Sequence, residues 1–262
     1  MRLAILSDVH ANLEALQAVL GRLAAEAVDR IVCLGDVVGY NANPVECVAL
    51  LRELDPVWVA GSHDRAVTGQ ITTAGFSATA VRAVAWTRAR LPQDILDFLA
   101  GLPSRASFES YLVAVHGALH PEVGCETVRL NTDENRRLSL EALVKHPSGA
   151  RICAFGHTHQ VGIFELRDGS MRTLSADEAV LRDDAYYLIN PGAVGEPRRA
   201  DRRATYMMLD TERRTVSVQR VAYNFAAAMA KTRKAGLLPR FWFLPAPMRA
   251  ALKRGRRAIG FG

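Results

Sequence analysis

Over the first sixty residues, short apolar runs alternate with segments of helical periodicity. The apolar runs cover residues 3–6, 30–34 and 57–60, and leucines at positions 13, 16, 20 and 23 recur at the spacing of one helix face. Pro44 indicates the start of a second helix, because proline suits the first helical turn. Strands that alternate with helices in this way predict βαβ units and a parallel sheet covered by helices.

After residue 65 the sequence pattern is first helical, then strand-like, and then helical again. Residues 66–103 carry helical patterns at 79–90 and 93–99, and we expect a helical insert near the functional site. Strand patterns then dominate, at residues 111–115, 151–155, 161–166, 186–189, 204–209 and 215–221, with one helix inside 131–145. From Phe225 onward the sequence is helical and basic. We therefore expect one domain of residues 1–223 and a basic helical extension of residues 224–262.

The charge of the chain is divided unevenly. The formal net charge is +6 and the pI is about 9.4, which would suit a polyanion as partner. Residues 213–262, however, hold twelve Lys and Arg and no Asp or Glu, so residues 1–212 are acidic. For this basic tail we favour helices docked on the domain with a solvated basic face. Binding of nucleic acid or an anionic membrane, and packing in a homo-oligomer, are the alternatives.

The sequence carries no sign of a membrane span or of secretion. No apolar run approaches the roughly 20 residues that a membrane helix needs. The amino terminus lacks the apolar core and cleavage site of a signal peptide. The four cysteines form no C-x-x-C pair, so we expect free, mostly buried thiols and a reducing cytoplasm.

Ionisable side chains recur where the predicted strands end. They are Asp8, His10, Asp36, His63, Asp64, His116, His157 and His159. In an open α/β sheet, ligands bind at the carboxyl ends of the strands, so we expect these groups to converge on one edge. Each alone would suit a structural role, as we expect for the two other histidines, His120 and His146. Together they predict a metal site.

The order of these motifs resembles that of the calcineurin-like metallophosphoesterases. The motifs are Asp8-x-His10, Gly35-Asp36, Gly61-Ser62-His63-Asp64, His116-Gly117 and Gly156-His157-Thr158-His159, followed by Asn190-Pro191-Gly192. The pattern runs to about residue 221 and is most similar to the small bacterial phosphodiesterase and diadenosine-tetraphosphatase-like branch. The resemblance implies a four-layer α/β/β/α sandwich of two mixed β-sheets flanked by helices.

The resemblance also implies a ligand set for two divalent metal ions that share one carboxylate. Asp36 matches the bridging ligand. Asp8, His10 and His159 match the ligands of the first ion, and His116 and His157 match those of the second, with position 62 beside them. Mixed oxygen and nitrogen ligands favour manganese, iron, zinc or nickel over magnesium or calcium, and we favour manganese.

Two further residues match the catalytic positions of these enzymes. His63 resembles the histidine that lies near the leaving-group oxygen as proton donor or charge stabiliser. Asp64 would orient and polarise His63. A two-metal site of this kind clamps the phosphate, generates hydroxide from water and stabilises an in-line transition state.

The chain departs from the family pattern at position 62. The family has Gly-Asn-His-Asp, where the asparagine carbonyl binds the second ion, and this chain has Ser62. Three explanations stay open: a water fills the gap, the second ion binds more weakly, or the residue was substituted deliberately to trap a complex. We expect weaker occupancy at the second site and therefore lower turnover.

Four other positions lie near the predicted site. Ala11 stands where the family usually has glycine, and we expect it to be tolerated unless the backbone there needs a positive φ. Asn12 and Asn190 would hydrogen-bond near the phosphate, or act as a helix cap and a turn residue respectively. Tyr40 would line the pocket.

The predicted function is hydrolysis of a phosphate ester, with a diester favoured over a monoester. The alternative is a binding or scaffold protein of the same fold that has lost turnover, which Ser62 favours and the other retained ligands oppose. The substrate is not defined by the insert, because Phe76 and Trp86 are spaced like core residues rather than like a base-stacking pocket.

Overall fold

The computed structural model describes residues 1–174, 177–198 and 200–238, and within them two six-stranded sheets pack face to face. The first sheet has the order β3-β2-β1-β11-β12-β9. Its strands are β1 (Arg2–Leu6), β2 (Arg30–Cys33), β3 (Val57–Trp58), β9 (Glu178–Val180), β11 (Ala204–Asp210) and β12 (Thr215–Val221). The first three strands pair in parallel, as the alternation of strands and helices predicts, and the others pair antiparallel.

The second sheet has the order β4-β5-β6-β10-β7-β8. Its strands are β4 (Arg105–Phe108), β5 (Leu112–Val115), β6 (Ile152–Ala154), β7 (Val161–Arg167), β8 (Ser170–Thr173) and β10 (Tyr186–Pro191). Strands β5, β6 and β10 pair in parallel, and the remaining neighbours pair antiparallel. Both sheets are therefore mixed, which confirms the predicted fold class.

Helices cover the outer faces of the sheets. They are α1 (Leu13–Leu23), α2 (Pro44–Glu53), α3 (Ser62–Thr68), α4 (Ala78–Arg88), α5 (Gln93–Gly101), α6 (Asp133–Val144) and α7 (Phe225–Lys234), with a short 3-10 turn at Cys125–Thr127. Pro44 is the first residue of α2, and α4 and α5 form within the expected insert. No helix of the described ranges is long and apolar enough to cross a membrane.

Three apolar clusters fill the spaces between the four layers. Because side chains alternate across a strand, Leu3 and Ile5 of β1 enter the cluster between the sheets, whereas Ala4 and Leu6 face the helices. A third cluster lies between the second sheet and α6. A strand buried on both faces reads as a continuous apolar run, which is why the sequence predicts β1 so clearly.

The strands that the sequence did not predict are β4, β8 and β9. All three lie at sheet edges, and their side chains are half-buried or exposed. An edge strand tolerates polar residues on both faces, so its sequence carries little apolar signal. All four cysteines are free and buried, as expected.

The extension begins as predicted with a helix, α7, which packs against α1. Lys231 of α7 forms an ion pair with Glu14 of α1 at 2.6 Å. The rest of the expected basic tail, residues 239–262, lies outside the described residues, so its proposed contacts stay predictions.

Candidate metal centre

Loops at the strand ends of both sheets bring the predicted ionisable residues together. The residues are Asp8 and His10 after β1, Asp36 after β2, Ser62, His63 and Asp64 at the start of α3, His116 after β5, and His157 and His159 after β6. Each of them is at most 7% exposed. The expected convergence on one rim therefore occurs, although it involves two sheets rather than one.

Asp8, His10 and His159 form the first candidate ligand group. The Oδ1 atom of Asp8 lies 3.2 Å from Nε2 of His159 and 3.6 Å from Nε2 of His10. The other oxygen, Oδ2, accepts hydrogen bonds from the Ser7 hydroxyl and from the backbone N–H of His157. Oδ1 itself is buried and has no hydrogen-bond partner among the described residues. A buried carboxylate oxygen without a hydrogen-bond donor is suited to bind a cation.

Asp36, His116 and His157 form the second group. The Oδ2 atom of Asp36 lies 3.2 Å from Nε2 of His116 and 3.6 Å from Nε2 of His10, which belongs to the first group. His116 Nε2 is in turn 3.2 Å from Nδ1 of His157. One carboxylate oxygen thus lies between the two groups.

Backbone carbonyls orient three of the imidazole rings. The Nδ1 atoms lie close to carbonyl oxygens: His10 to Val38 at 3.0 Å, His116 to Leu34 at 2.7 Å, and His159 to Glu196 at 2.6 Å. Because a carbonyl oxygen only accepts, each Nδ1 must carry a proton, and Nε2 is the atom that faces the carboxylates and would bind an ion. This arrangement is typical of histidine ligands to metals, so the residues present fit divalent ions.

The charges of the site also suit cations. Burial works to raise the pKa of Asp8 and of Asp36, but the neighbouring histidines hold both well below the usual range, so both carboxyl groups stay ionised. Burial lowers the pKa of His157 to about 3, and its ring is therefore a neutral ligand at neutral pH. Burial works against charge on His116 too, but Asp36 raises its pKa to about 9.

Several site residues adopt the left-handed backbone conformation, with φ between 49° and 61°. They are Asp8, His10, Ala11, Asp36, Tyr40, His157 and His159. For residues with a Cβ this conformation costs about 1–2 kcal/mol. Ala11 therefore meets the condition under which we expected glycine to be preferred, and it carries this strain.

Close backbone approach explains the glycine in the Gly-Ser-His-Asp motif. A Cβ on Gly61 would lie 2.1 Å from Oδ1 of Asp36. The same Oδ1 accepts a hydrogen bond of 2.7 Å from the backbone N–H of His63. The start of α3 is therefore in direct contact with the Asp36 carboxylate. Ser62 is buried there, with its hydroxyl 3.4 Å from Oδ2 of Asp36.

His63 lies in an aromatic environment at the edge of the candidate ligands. Its ring centroid is 4.7 Å from that of Tyr40, 4.8 Å from that of His10 and 5.2 Å from that of Phe76. Burial lowers the pKa of His63 to about 3, although Asp36 opposes the shift. The ring is therefore neutral at neutral pH.

The structure corrects the expected role of Asp64. Its carboxylate accepts four backbone N–H groups, those of Asp36, Val37, Val38 and Gly61, at 2.8–3.3 Å. Nδ1 of His63 is buried without a hydrogen-bond partner in the described part of the chain, so Asp64 does not polarise that ring. Asp64 instead joins the loop after β2 to the start of α3, and it orients His63 only through the backbone.

The three expected substrate positions differ in their surroundings. Tyr40 lines the cavity beside the ligands. Asn12 also borders it, but its side chain caps α1 by accepting from the N–H of Ala15 and donates to the carbonyl of Gly195. Asn190 is fully buried, with hydrogen bonds to Gly156, Thr158 and Gly192, and it does not line the cavity. The two asparagines thus fill the structural roles that were their alternatives.

One cavity of about 930 Å³ opens over the candidate ligands. Its lining includes Arg129 and Arg198, which sequence analysis did not select because both lie in loops without a motif. Neither side chain has an ion pair in the described ranges, and burial together with the charge of Arg198 lowers the pKa of Arg129. Phe76 packs on the core, as its spacing suggested, but it also lines this cavity.

Comparisons with known proteins agree with this geometry. A family model described as the calcineurin-like phosphoesterase superfamily domain matches residues 1–214. An uncharacterized protein of Methanocaldococcus jannaschii is 32% identical over 233 residues, which cover 87% of this chain and 90% of that protein.

Two solved structures are similar over nearly the whole chain. A metallophosphoesterase from Sphaerobacter thermophilus is 36% identical with a TM-score of 0.74, and the match covers 92% of this chain and 95% of that one. A hypothetical protein from Pyrococcus horikoshii OT3 is 16% identical with a TM-score of 0.72, covering 91% and 94%. The second likeness shows the fold alone.

Proposed function

Because the chain belongs to the calcineurin-like phosphoesterase superfamily and is a hydrolase of phosphate esters, we propose that it is a phosphodiesterase that uses two divalent metal ions. Manganese is the preferred ion, with iron, zinc or nickel as substitutes. The observation that carries the proposal is the position of Asp36, whose Oδ2 lies within 3.6 Å of a histidine from each ligand group.

The two ligand groups define which residues would hold the ions. Asp8, His10 and His159 would hold the first, and His116 and His157 the second, with Asp36 shared. Ser62 lies beside the second group and supplies at most a hydroxyl. Such ions, when bound, supply Lewis-acid stabilisation of the phosphate and an activated water.

The surrounding residues act on the substrate itself. Arg129 and Arg198 lack counter-ions in the described ranges and would offset the negative charge of the phosphate. His63 lies next to the ligands and would hydrogen-bond the leaving-group oxygen and deliver a proton to it. The approaching phosphate anion raises the low pKa of His63, because its charge favours the protonated ring.

The size and the lining of the cavity support the proposed preference for a diester. A diester carries an organic group on both sides of phosphorus, whereas a monoester places a second anionic oxygen on one side. The volume of about 930 Å³ and the apolar lining residues, among them Ile71, Met229 and Leu238, accommodate organic groups.

Hydrolysis of two p-nitrophenyl esters tests the proposal. We expect the manganese-loaded protein to hydrolyse bis(p-nitrophenyl) phosphate with kcat/KM more than about tenfold above that for p-nitrophenyl phosphate. His63→Ala should lower kcat by about 10²- to 10⁴-fold, and His146→Ala, a histidine outside the site, should not. A higher kcat/KM for the monoester would overturn the diester preference.

A scaffold protein that has lost turnover is the second candidate, and Ser62 is the observation that favours it. Metal analysis distinguishes the two. A protein that binds two manganese ions per chain and hydrolyses neither ester would support the scaffold and refute the proposed phosphodiesterase.

A further inference from the structure

The carboxyl-terminal part of the described chain forms one wall of the cavity. The family model ends at residue 214, yet residues beyond it line the same cavity as His63 and His157. They are Tyr223, Phe225, Met229, Thr232, Leu237 and Leu238. Most of these side chains are apolar, so a segment outside the family domain contributes an apolar part of the cavity lining.

Specific contacts hold this segment against the domain. The Thr232 hydroxyl donates to Oδ1 of Asn41 at 2.9 Å, and both residues are buried. The ion pair of Lys231 with Glu14 fixes the same turn of α7 to α1. The Arg82 guanidinium of α4 donates to the carbonyls of Leu237 and Leu238. The segment is therefore a built part of the domain and not a loosely attached tail.

The segment between α3 and α4 also lines the cavity. Ile71 and Phe76 lie there, and both pack against the core while lining the cavity. The Phe76 ring is 5.2 Å from the ring of His63, so the apolar lining begins next to the proposed reacting centre. An organic group attached to a phosphate at the metal centre would lie among the apolar residues that line this cavity, Phe76 and Met229 among them.

We propose that this space, bounded by residues 71–80 and α7, binds the organic group of the ester, and that this group is aromatic and about the size of a nucleoside. The inference rests on the proposed function for the position of the phosphate. A cavity of about 930 Å³ lies in the range of sites for drug-sized ligands and far exceeds a phosphate ion. Phenylalanine rings and the Met229 thioether are favourable contacts for a flat ring.

Phosphonates test the subsite without turnover, because their P–C bond is not hydrolysed. Methylphosphonate, benzylphosphonate and naphthylmethylphosphonate carry the same anionic group and differ in the size of the apolar group. Their binding to the manganese-loaded protein is measured by titration calorimetry, and by competition against bis(p-nitrophenyl) phosphate. We expect affinity to rise by at least about tenfold from the methyl to the naphthylmethyl compound.

Two variants of α7 locate the effect. Met229→Trp fills the space with a larger side chain and should remove most of the tenfold gain, leaving methylphosphonate affinity far less changed. Ala230→Trp introduces the same side chain at the next, exposed residue and should keep the gain in affinity. Equal affinity for all three phosphonates in the wild type would overturn the inference, as would a gain that survives in Met229→Trp.

The calorimetry separates this inference from the proposed function. Phosphonates that bind with the expected gain in affinity, while neither p-nitrophenyl ester is hydrolysed, would uphold the subsite and refute the proposed phosphodiesterase. Hydrolysis without a gain in phosphonate affinity would uphold the proposed function and refute the subsite.

Discussion

Replacing Asp64 by asparagine separates a structural role from a catalytic one. Each carboxylate oxygen of Asp64 accepts two backbone N–H groups, Oδ2 from Asp36 and Gly61 and Oδ1 from Val37 and Val38. Asparagine keeps one oxygen and replaces the other by an NH₂ group, which only donates. Two buried N–H groups then lose their acceptor and face a donor.

The magnitude follows from those two groups. An unsatisfied buried donor costs about 1–3 kcal/mol, so two cost about 2–6 kcal/mol. Burial and the nearby charge of Asp36 raise the pKa of Asp64 to about 6, which means that removing its charge relieves some repulsion. We therefore expect Asp64→Asn to lower the free energy of unfolding by about 2–4 kcal/mol.

Urea unfolding followed by circular dichroism measures this change. Asp29→Asn is the matched control, because exposed Asp29 accepts one backbone N–H, from Arg2, and asparagine retains an oxygen for it. The control should change the unfolding free energy by less than about 0.5 kcal/mol. If Asp64→Asn were as stable as the wild type while kcat fell, Asp64 would act on His63 chemically and our structural assignment would be refuted.

Three further substitutions test other parts of the site. Ser62→Asn should raise the manganese content measured by plasma mass spectrometry, and kcat with it; no change in either would contradict weak binding at the second group. Asn12→Ala removes a helix cap and a buried hydrogen bond and should lower the unfolding free energy by about 1–3 kcal/mol, more than Asn224→Ala, whose cap is exposed. Gly156→Ala places a Cβ 1.9 Å from the Ser7 hydroxyl and should lower the free energy of unfolding, measured by thermal denaturation, by about 1–3 kcal/mol. Its control, Gly21→Ala, places a Cβ in open space and should not destabilise α1.

The sequence predicted the parts of the fold that are buried on both faces. Strands such as β1 and β2 consist of apolar runs because both of their faces meet a core cluster. The edge strands β4, β8 and β9 were not predicted, because their side chains meet a core on one face at most. The antiparallel return of β11 beside β1 depends on pairing between residues about 200 positions apart, which no local pattern encodes.

The candidate ligands were predictable for a related reason. Each follows a recognisable strand directly, so its place in the chain fixes its place at the rim. Arg129, Arg198 and Met229 come from loops and a helix that meet only in the folded chain, and no spacing joins them to the ligands. The role of Asp64 was mispredicted because its sequence neighbour His63 is not its partner; the backbone of the adjacent loop is.

The left-handed residues of the rim show how the ligands are held before any ion binds. A strand that ends with a side chain directed at the rim must turn sharply, and Asp8, His10 and Asp36 all turn through positive φ. This strain is offset by backbone hydrogen bonds between the loops after β1 and β2, among them His10 N–H to the Asp36 carbonyl at 2.9 Å. These bonds join main-chain atoms only, so the fold itself fixes the backbone positions that carry the ligands. An ion that binds there loses little binding free energy to ordering of the protein, because the fold has already fixed both loops.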